Sequence, residues 1–232
     1  MMRKIGVVVF PGTNCERDVF HVLSDVLHIE TEYIWHDRQD LDGFAGLVLP
    51  GGFSYGDRLR AGVIAAHSPI IHQVKKIAKD GVPVLGICNG FQILIESGLL
   101  PGALVKNERL NFVCKWIDAK VKNTTTPFTK LFQKNQQIRM PVAHGEGRYV
   151  ADGLTIKRLR QKNQIVLSFL NENPNGSAES IAAICNPEGN VVGMMPHPER
   201  ASEGVLSPVA ACIDGSTFFR SLMHYLGEAY ST

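Results

Sequence analysis

Apolar residues fall into short uninterrupted runs bounded by glycine and proline. Residues 4–10 form the first run, which stops at Pro11-Gly12. A run of that length, β-branched and closed by turn formers, is expected to be a strand buried on both faces. Asn14 then stands where an N-cap would open a helix over residues 15–28. Further strands are predicted over 31–35, 46–49 and 82–87, with helices near 59–66 and 70–79 and another over 90–97. Parallel strands need crossover connections, and these are usually helical. The alternation therefore predicts an α/β fold, doubly wound, with a mostly parallel sheet and helices on both faces.

From Ala103 onward the rhythm changes to short strand-like runs, with candidates at 112–121, 165–170, 180–184 and 191–195. These are expected to add small antiparallel insertions in the second half, and residues 216–225 should close the chain as a helix. Asn173-Pro174-Asn175-Gly176-Ser177 is a turn rather than a linker, and no repeat or low-complexity tract interrupts the chain. A single domain spanning residues 1–232 is expected.

Composition keeps the chain in the ordinary globular class, at 44% hydrophobic and 20% charged over 232 residues. Its net charge is +2 and its basic residues are scattered, so nucleic acid is not an expected partner. No membrane association is expected either: the apolar start is cut short by Pro11, Gly12, Asn14 and Glu16. The five cysteines are odd in number and irregularly spaced, with no Cys-x-x-Cys pair. Reduced thiols in the cytoplasm are the expectation, and one is free to be chemical.

Cys88 is the thiol with a distinctive setting. The segment Val84-Leu85-Gly86-Ile87-Cys88-Asn89-Gly90-Phe91-Gln92 reads as a buried strand, a Gly-x-Cys-x-Gly turn and a helix. That is the form of a nucleophile elbow, in which flanking glycines let strand and helix close up around an exposed nucleophile. The helix N-terminus offers a thiolate its positive dipole end and free N–H groups. Most unpaired cysteines simply pack, and Cys15, Cys114, Cys185 and Cys212, which lack this context, are read that way.

A thiol nucleophile needs a base, and the base needs an orienting group. His197 and Glu199 in Met194-Met195-Pro196-His197-Pro198-Glu199-Arg200 fit those roles. Alone, that segment is more often a packing motif, and it gains meaning beside the elbow. Pro50-Gly51-Gly52-Phe53 ends the strand at 46–49 on the same sheet edge. The N–H of Gly52 or Phe53, with that of Asn89, is a candidate oxyanion hole for acyl chemistry at Cys88. His144, Gly145 and Glu146 lie in a glycine-rich loop expected to line the pocket, as is Gln92. They form no complete ligand set, so no metal is expected.

Together these motifs resemble the class I, or triad, glutamine amidotransferases. The blocks Phe10-Pro11-Gly12-Thr13-Asn14-Cys15, Pro50 through Asp57, Gly86 through Gln92, Ala143 through Arg148 and Gly193 through Arg200 are similar, more narrowly, to the glutaminase subunits of phosphoribosylformylglycinamidine synthases. Arg58 departs from the tyrosine usual after Gly-Asp. The resemblance implies Cys88 as nucleophile, His197 as acid and base, and Glu199 as its orienter, with glutamine as substrate. It implies no cofactor in this chain, with ATP and Mg on a separate synthetase partner, and a small bridging subunit. The alternatives are a related cysteine hydrolase of the peptidase or chaperone-like group, or a non-catalytic binding subunit.

Overall fold

A computed structural model describes residues 4–208 and 213–227, so Cys212 lies outside the described residues. Five strands form a parallel block: β1 (Lys4–Val9), β2 (Thr31–Trp35), β3 (Phe44–Leu49), β4 (Val84–Ile87) and β11 (Val191–Met194). β4 and β11 are buried at every position, as strands covered by helices on both faces must be. Four antiparallel strands extend the same sheet: β6 (Val113–Val121), β7 (Gln137–His144), β9 (Ile165–Leu170) and β10 (Ile181–Cys185). Among the described residues the order is β2-β1-β3-β4-β11-β10-β9-β6-β7. A separate pair joins β5 (Ala103–Val105) to β8 (Arg148–Val150).

The helices are α1 (Glu16–Phe20), α2 (Pro69–Lys79), α3 (Asn89–Glu96), α4 (Gly153–Gln161) and α5 (Ser216–Leu226). α2 begins with Pro69 at its first position and buries Ile70, Ile71, Val74 and Ala78, the stripe its sequence spacing predicts. The helix expected over 15–28 is split: α1 is followed by a π-helical stretch, His21–Val26. No helix among the described residues is long and apolar enough to cross a membrane.

The helix expected near 59–66 is not formed. Leu59 has φ 68° and Gly62 φ 80°, which break the helical path, and only a 3-10 turn, Ala65–His67, follows. Gly62 packs against α3 so tightly that a Cβ there would lie 2.8 Å from Ile93 N. β7 is not among the strands expected from the sequence, and Pro141 sits within it. It is the edge strand of the order, where the missing proline N–H leaves no ladder bond unmade.

β3, β4 and β11 are parallel neighbours, with Leu49 beside Gly86 and Met194 beside Ile87. Their carboxyl ends therefore deliver Gly51-Gly52, Cys88 and His197 to one edge of the sheet. In open α/β sheets that edge is where ligands bind.

Candidate active site

Cys88 sits at φ 49° and ψ −102°, a strained backbone for a residue with a side chain. Three contacts hold it there. Its N–H donates to Met194 O at 2.7 Å. A Cβ on Gly86 would lie 2.7 Å from Gly90 O, and one on Gly90 would overlap Leu49 O. Only glycines let β4 turn this sharply into α3, so the Gly-x-Cys-x-Gly spacing has a steric cause. The thiol is buried and donates to Ala143 O at 3.6 Å.

His197 and Glu199 are both 1% exposed, and Nδ1 of the ring lies 2.6 Å from Glu199 Oε1. The His197 N–H donates to Pro141 O on β7 at 2.9 Å. Gly51 is packed against the ring, and a Cβ there would lie 2.7 Å from Cε1. Burial opposes a charge on the imidazole, but the Glu199 carboxylate and the Cys88 thiol outweigh it and hold the His197 pKa well above its usual value. Among the described residues the ring's buried Nε2 has no hydrogen-bond partner. Cys88 and His197 are thus electrostatically coupled, while the thiol's hydrogen bond goes to Ala143.

The loop after β3 distinguishes the two expected oxyanion donors. Phe53 N–H is taken by Gly12 O at 3.0 Å, so it cannot serve. Gly52, at φ 144° and bridged to Thr13, gives its N–H to no backbone carbonyl among the described residues. Asn89, as the first residue of α3, has a backbone N–H with no carbonyl a turn earlier. The Asn89 side chain ties this loop to the next. Its Oδ1 accepts from Ser54 N–H at 3.1 Å and its Nδ2 donates to Gln92 Oε1 at 2.9 Å, while Gln92 Nε2 donates to Glu146 O at 2.6 Å.

The loop after β7 brings in His144, Gly145 and Glu146. His144 is buried, and burial together with the positive His197 pushes its pKa down to about 4. Glu146 Oε2 accepts from Ala61 N–H at 3.5 Å. Its charge, after burial, helps push Asp57 up to about 6. Sequence reasoning missed Asp57, and also Asn107, whose amide staples the His144 loop from another part of the chain.

Cys15, read from sequence as a packing residue, is buried beside the histidine. Cys15, His197 and Glu199 place ligand atoms within 4.8 Å of one another. That is metal-like spacing, yet His197 and Glu199 already bond each other and Arg200 Nη2 donates to Cys15 Sγ at 3.1 Å. A guanidinium on the thiol is a poor neighbour for a cation.

A strained cysteine at a strand-to-helix turn, a buried His–Glu pair and free N–H groups are an arrangement suited to acyl transfer. The model of the CobB/CobQ-like glutamine amidotransferase domain matches residues 2–226. A phosphoribosylformylglycinamidine synthase subunit PurQ from Alkaliphilus metalliredigens (strain QYMF) is 52% identical over 223 residues, 96% of each chain. A chain of the PurLQS structure from Thermotoga maritima superposes with a TM-score of 0.87 at 45% identity, covering 97% of this chain and all of that one. The glutaminase domain of Trypanosoma brucei CTPS shares the fold at a TM-score of 0.62 and 16% identity, covering 98% of this chain and 95% of that one. The chain belongs to the CobB/CobQ-like glutamine amidotransferase family, in the branch of the PurQ subunits of phosphoribosylformylglycinamidine synthase.

Proposed function

We infer that this chain is the glutaminase subunit of a phosphoribosylformylglycinamidine synthase. It hydrolyses glutamine to glutamate and ammonia and hands the ammonia to a synthetase subunit. There, ATP drives conversion of formylglycinamide ribonucleotide to the amidine in purine synthesis. The observation that carries this reading is the meeting of the Cys88 elbow with the buried His197–Glu199 pair at one sheet edge, in a chain 52% identical to a PurQ subunit.

Cys88 Sγ attacks the carboxamide carbon, and the N–H groups of Gly52 and Asn89 receive the oxyanion. His197 gives its proton to the departing nitrogen as the C–N bond breaks. The same ring then takes a proton from water, which opens the glutamyl thioester to glutamate and restores the thiol. Glu199 keeps Nδ1 protonated and the ring oriented, as the third member of a triad does. Gln92 and the loop of His144, Gly145 and Glu146 line the glutamine pocket.

The partners are a synthetase subunit that holds ATP and Mg and a small third subunit that bridges the two. The likeness of this chain to a chain of the PurLQS structure from Thermotoga maritima supports this reading. Residues 1–232 act as one domain in the cytoplasm, where the unpaired Cys15, Cys88, Cys114 and Cys185 stay reduced.

The decisive experiment is Cys88→Ser in the complex reconstituted with its synthetase. Glutamine-dependent synthesis should vanish while synthesis from added ammonia persists. Retained glutamine use would refute the assignment, and covalent labelling of Cys88 by acivicin separates it from a peptidase-like hydrolase or a non-catalytic subunit.

A further inference from the structure

His144 ends β7 beside Ala143, whose carbonyl lies 3.6 Å from Cys88 Sγ. Asn107 fixes its tautomer. The Asn107 Nδ2 donates to the carbonyls of Asn111 and His144, both at 2.9 Å, so the amide oxygen is the side that accepts. That oxygen takes Gly147 N–H at 3.0 Å and lies 3.1 Å from His144 Nδ1. An acceptor facing Nδ1 requires the proton on Nδ1, which leaves Nε2 as a bare lone pair. Nε2 is buried and no atom of the described residues satisfies it. Buried acceptors are normally paired, and one left open calls for an N–H from a ligand.

We propose that His144 Nε2 accepts a hydrogen bond from the carboxamide nitrogen of the substrate and keeps hold of that nitrogen as it departs as ammonia. This rests on the glutaminase reading above. A lone pair repels the carboxamide oxygen and the α-carboxylate, so the donors left are the carboxamide NH2 and the α-ammonium. The reacting end is the nearer candidate: the carbonyl of Ala143, the residue before His144, accepts from the Cys88 thiol, and the His144 ring feels the charge of His197. The α-ammonium has better company in the carboxyl groups of Glu146 and Asp57.

The chemical step balances without a proton from His144. The Sγ–C bond forms, the C–N bond breaks, and the proton that completes ammonia comes from His197. His144 stays neutral down to about pH 4. It therefore holds ammonia without converting it to ammonium, and the product remains the nucleophile that the synthetase requires.

The test compares kcat/KM for L-glutamine with that for L-glutamate γ-methyl ester in the reconstituted complex, because the ester's leaving oxygen carries no N–H. His144→Phe keeps a ring but no acceptor, and His144→Gln returns an oxygen at similar reach. His144→Phe should lose about tenfold or more on glutamine, the worth of one hydrogen bond, and less than about threefold on the ester. His144→Gln should recover most of the preference. Asn107→Leu, which frees the tautomer, should also lose glutamine use selectively, and it keeps the question answerable if His144→Phe fails to co-purify with the synthetase. Equal losses on both substrates would overturn the inference. A wild-type complex that spares glutamine altogether would overturn the glutaminase reading instead.

Discussion

The ring of His197 and the carboxylate of Glu199 meet at 2.6 Å with both side chains buried, only two residues apart in the chain. Pro198 between them starts a 3-10 turn, Pro198–Ala201, which brings the two side chains back to the same side. The carboxylate is the largest influence raising the histidine's pKa against burial. Glu199→Gln removes that charge and leaves only the weaker influences of Cys88 and Cys15 against burial, so the imidazolium should be held less firmly. Glutamine hydrolysis should fall about 10²- to 10⁴-fold, as when a triad acid is neutralised. The sign of the pH effect follows from the direction of the shift: the limb of the rate profile set by loss of the imidazolium proton should move to lower pH. A full profile of kcat/KM against pH in the complex checks both, and an unmoved limb would count against the role of Glu199.

Gly90 and Gly98 look alike in sequence and differ in kind. A side chain on Gly90 would run into Leu49 O, whereas Gly98, at φ 78°, has open space around its missing Cβ. Gly90→Ala must part β3 from α3, with an expected loss of about 2–4 kcal/mol or failure to fold. Gly98→Ala carries only the penalty of an alanine at positive φ, about 1–2 kcal/mol. Urea unfolding of the two variants measures the difference, and similar midpoints would show that the elbow tolerates more room than its contacts allow.

That contrast also shows what could be read from residues alone. The elbow was legible because its constraints are local: a run of buried positions, glycines two either side of Cys88, and a helix at once. The parallel block followed from the same kind of run. Residues 59–66 misled because Leu59 and Gly62 take positive φ, and Gly62 does so where it packs against α3, a tertiary demand that no helical periodicity reveals. β7 went unread, and the Pro141 within it is harmless only because that strand is an edge. Asn107 carried no signal, since its importance lies in reaching a loop 37 residues away. The Asp152 cap that accepts from Thr155 N–H was a visible start for α4 and went unread.

Asp57 gives a prediction about stability and pH. Burial, then the Glu146 charge, raises its pKa from 3.8 to about 6. The folded protein thus holds this proton more tightly than the unfolded chain. The stability linked to it is complete below about pH 3.8 and is lost as pH rises through about 6. Asp57→Asn removes the cost of ionising the group. It should stabilise the protein at pH 8 by about 1 kcal/mol, after discounting the shift for partial solvent screening, and by much less at pH 4. Denaturant unfolding at the two pH values is the measurement, and an equal gain at both would show that some other contact is responsible.

Cys15 and Cys88 are both buried thiols near His197, and only one is placed to react. Cys15 accepts from Arg200 Nη2 at 3.1 Å and donates its own proton to Asn14 Oδ1 at 3.3 Å. Burial raises its pKa and outweighs the histidine and arginine, so it stays a protonated thiol. Cys15 also precedes a helix, α1, but its backbone lies at φ −99° and lacks the strained turn that holds Cys88 at φ 49°. Cys15→Ser, which keeps a donor and an acceptor, should hold glutamine turnover within about tenfold of wild type, far from the several orders of magnitude lost with a nucleophile. Acivicin should modify one cysteine in wild type and in Cys15→Ser alike, and none in Cys88→Ser. Peptide mapping by mass spectrometry locates the adduct, and a label on Cys15 would mean that the nucleophile has been misassigned.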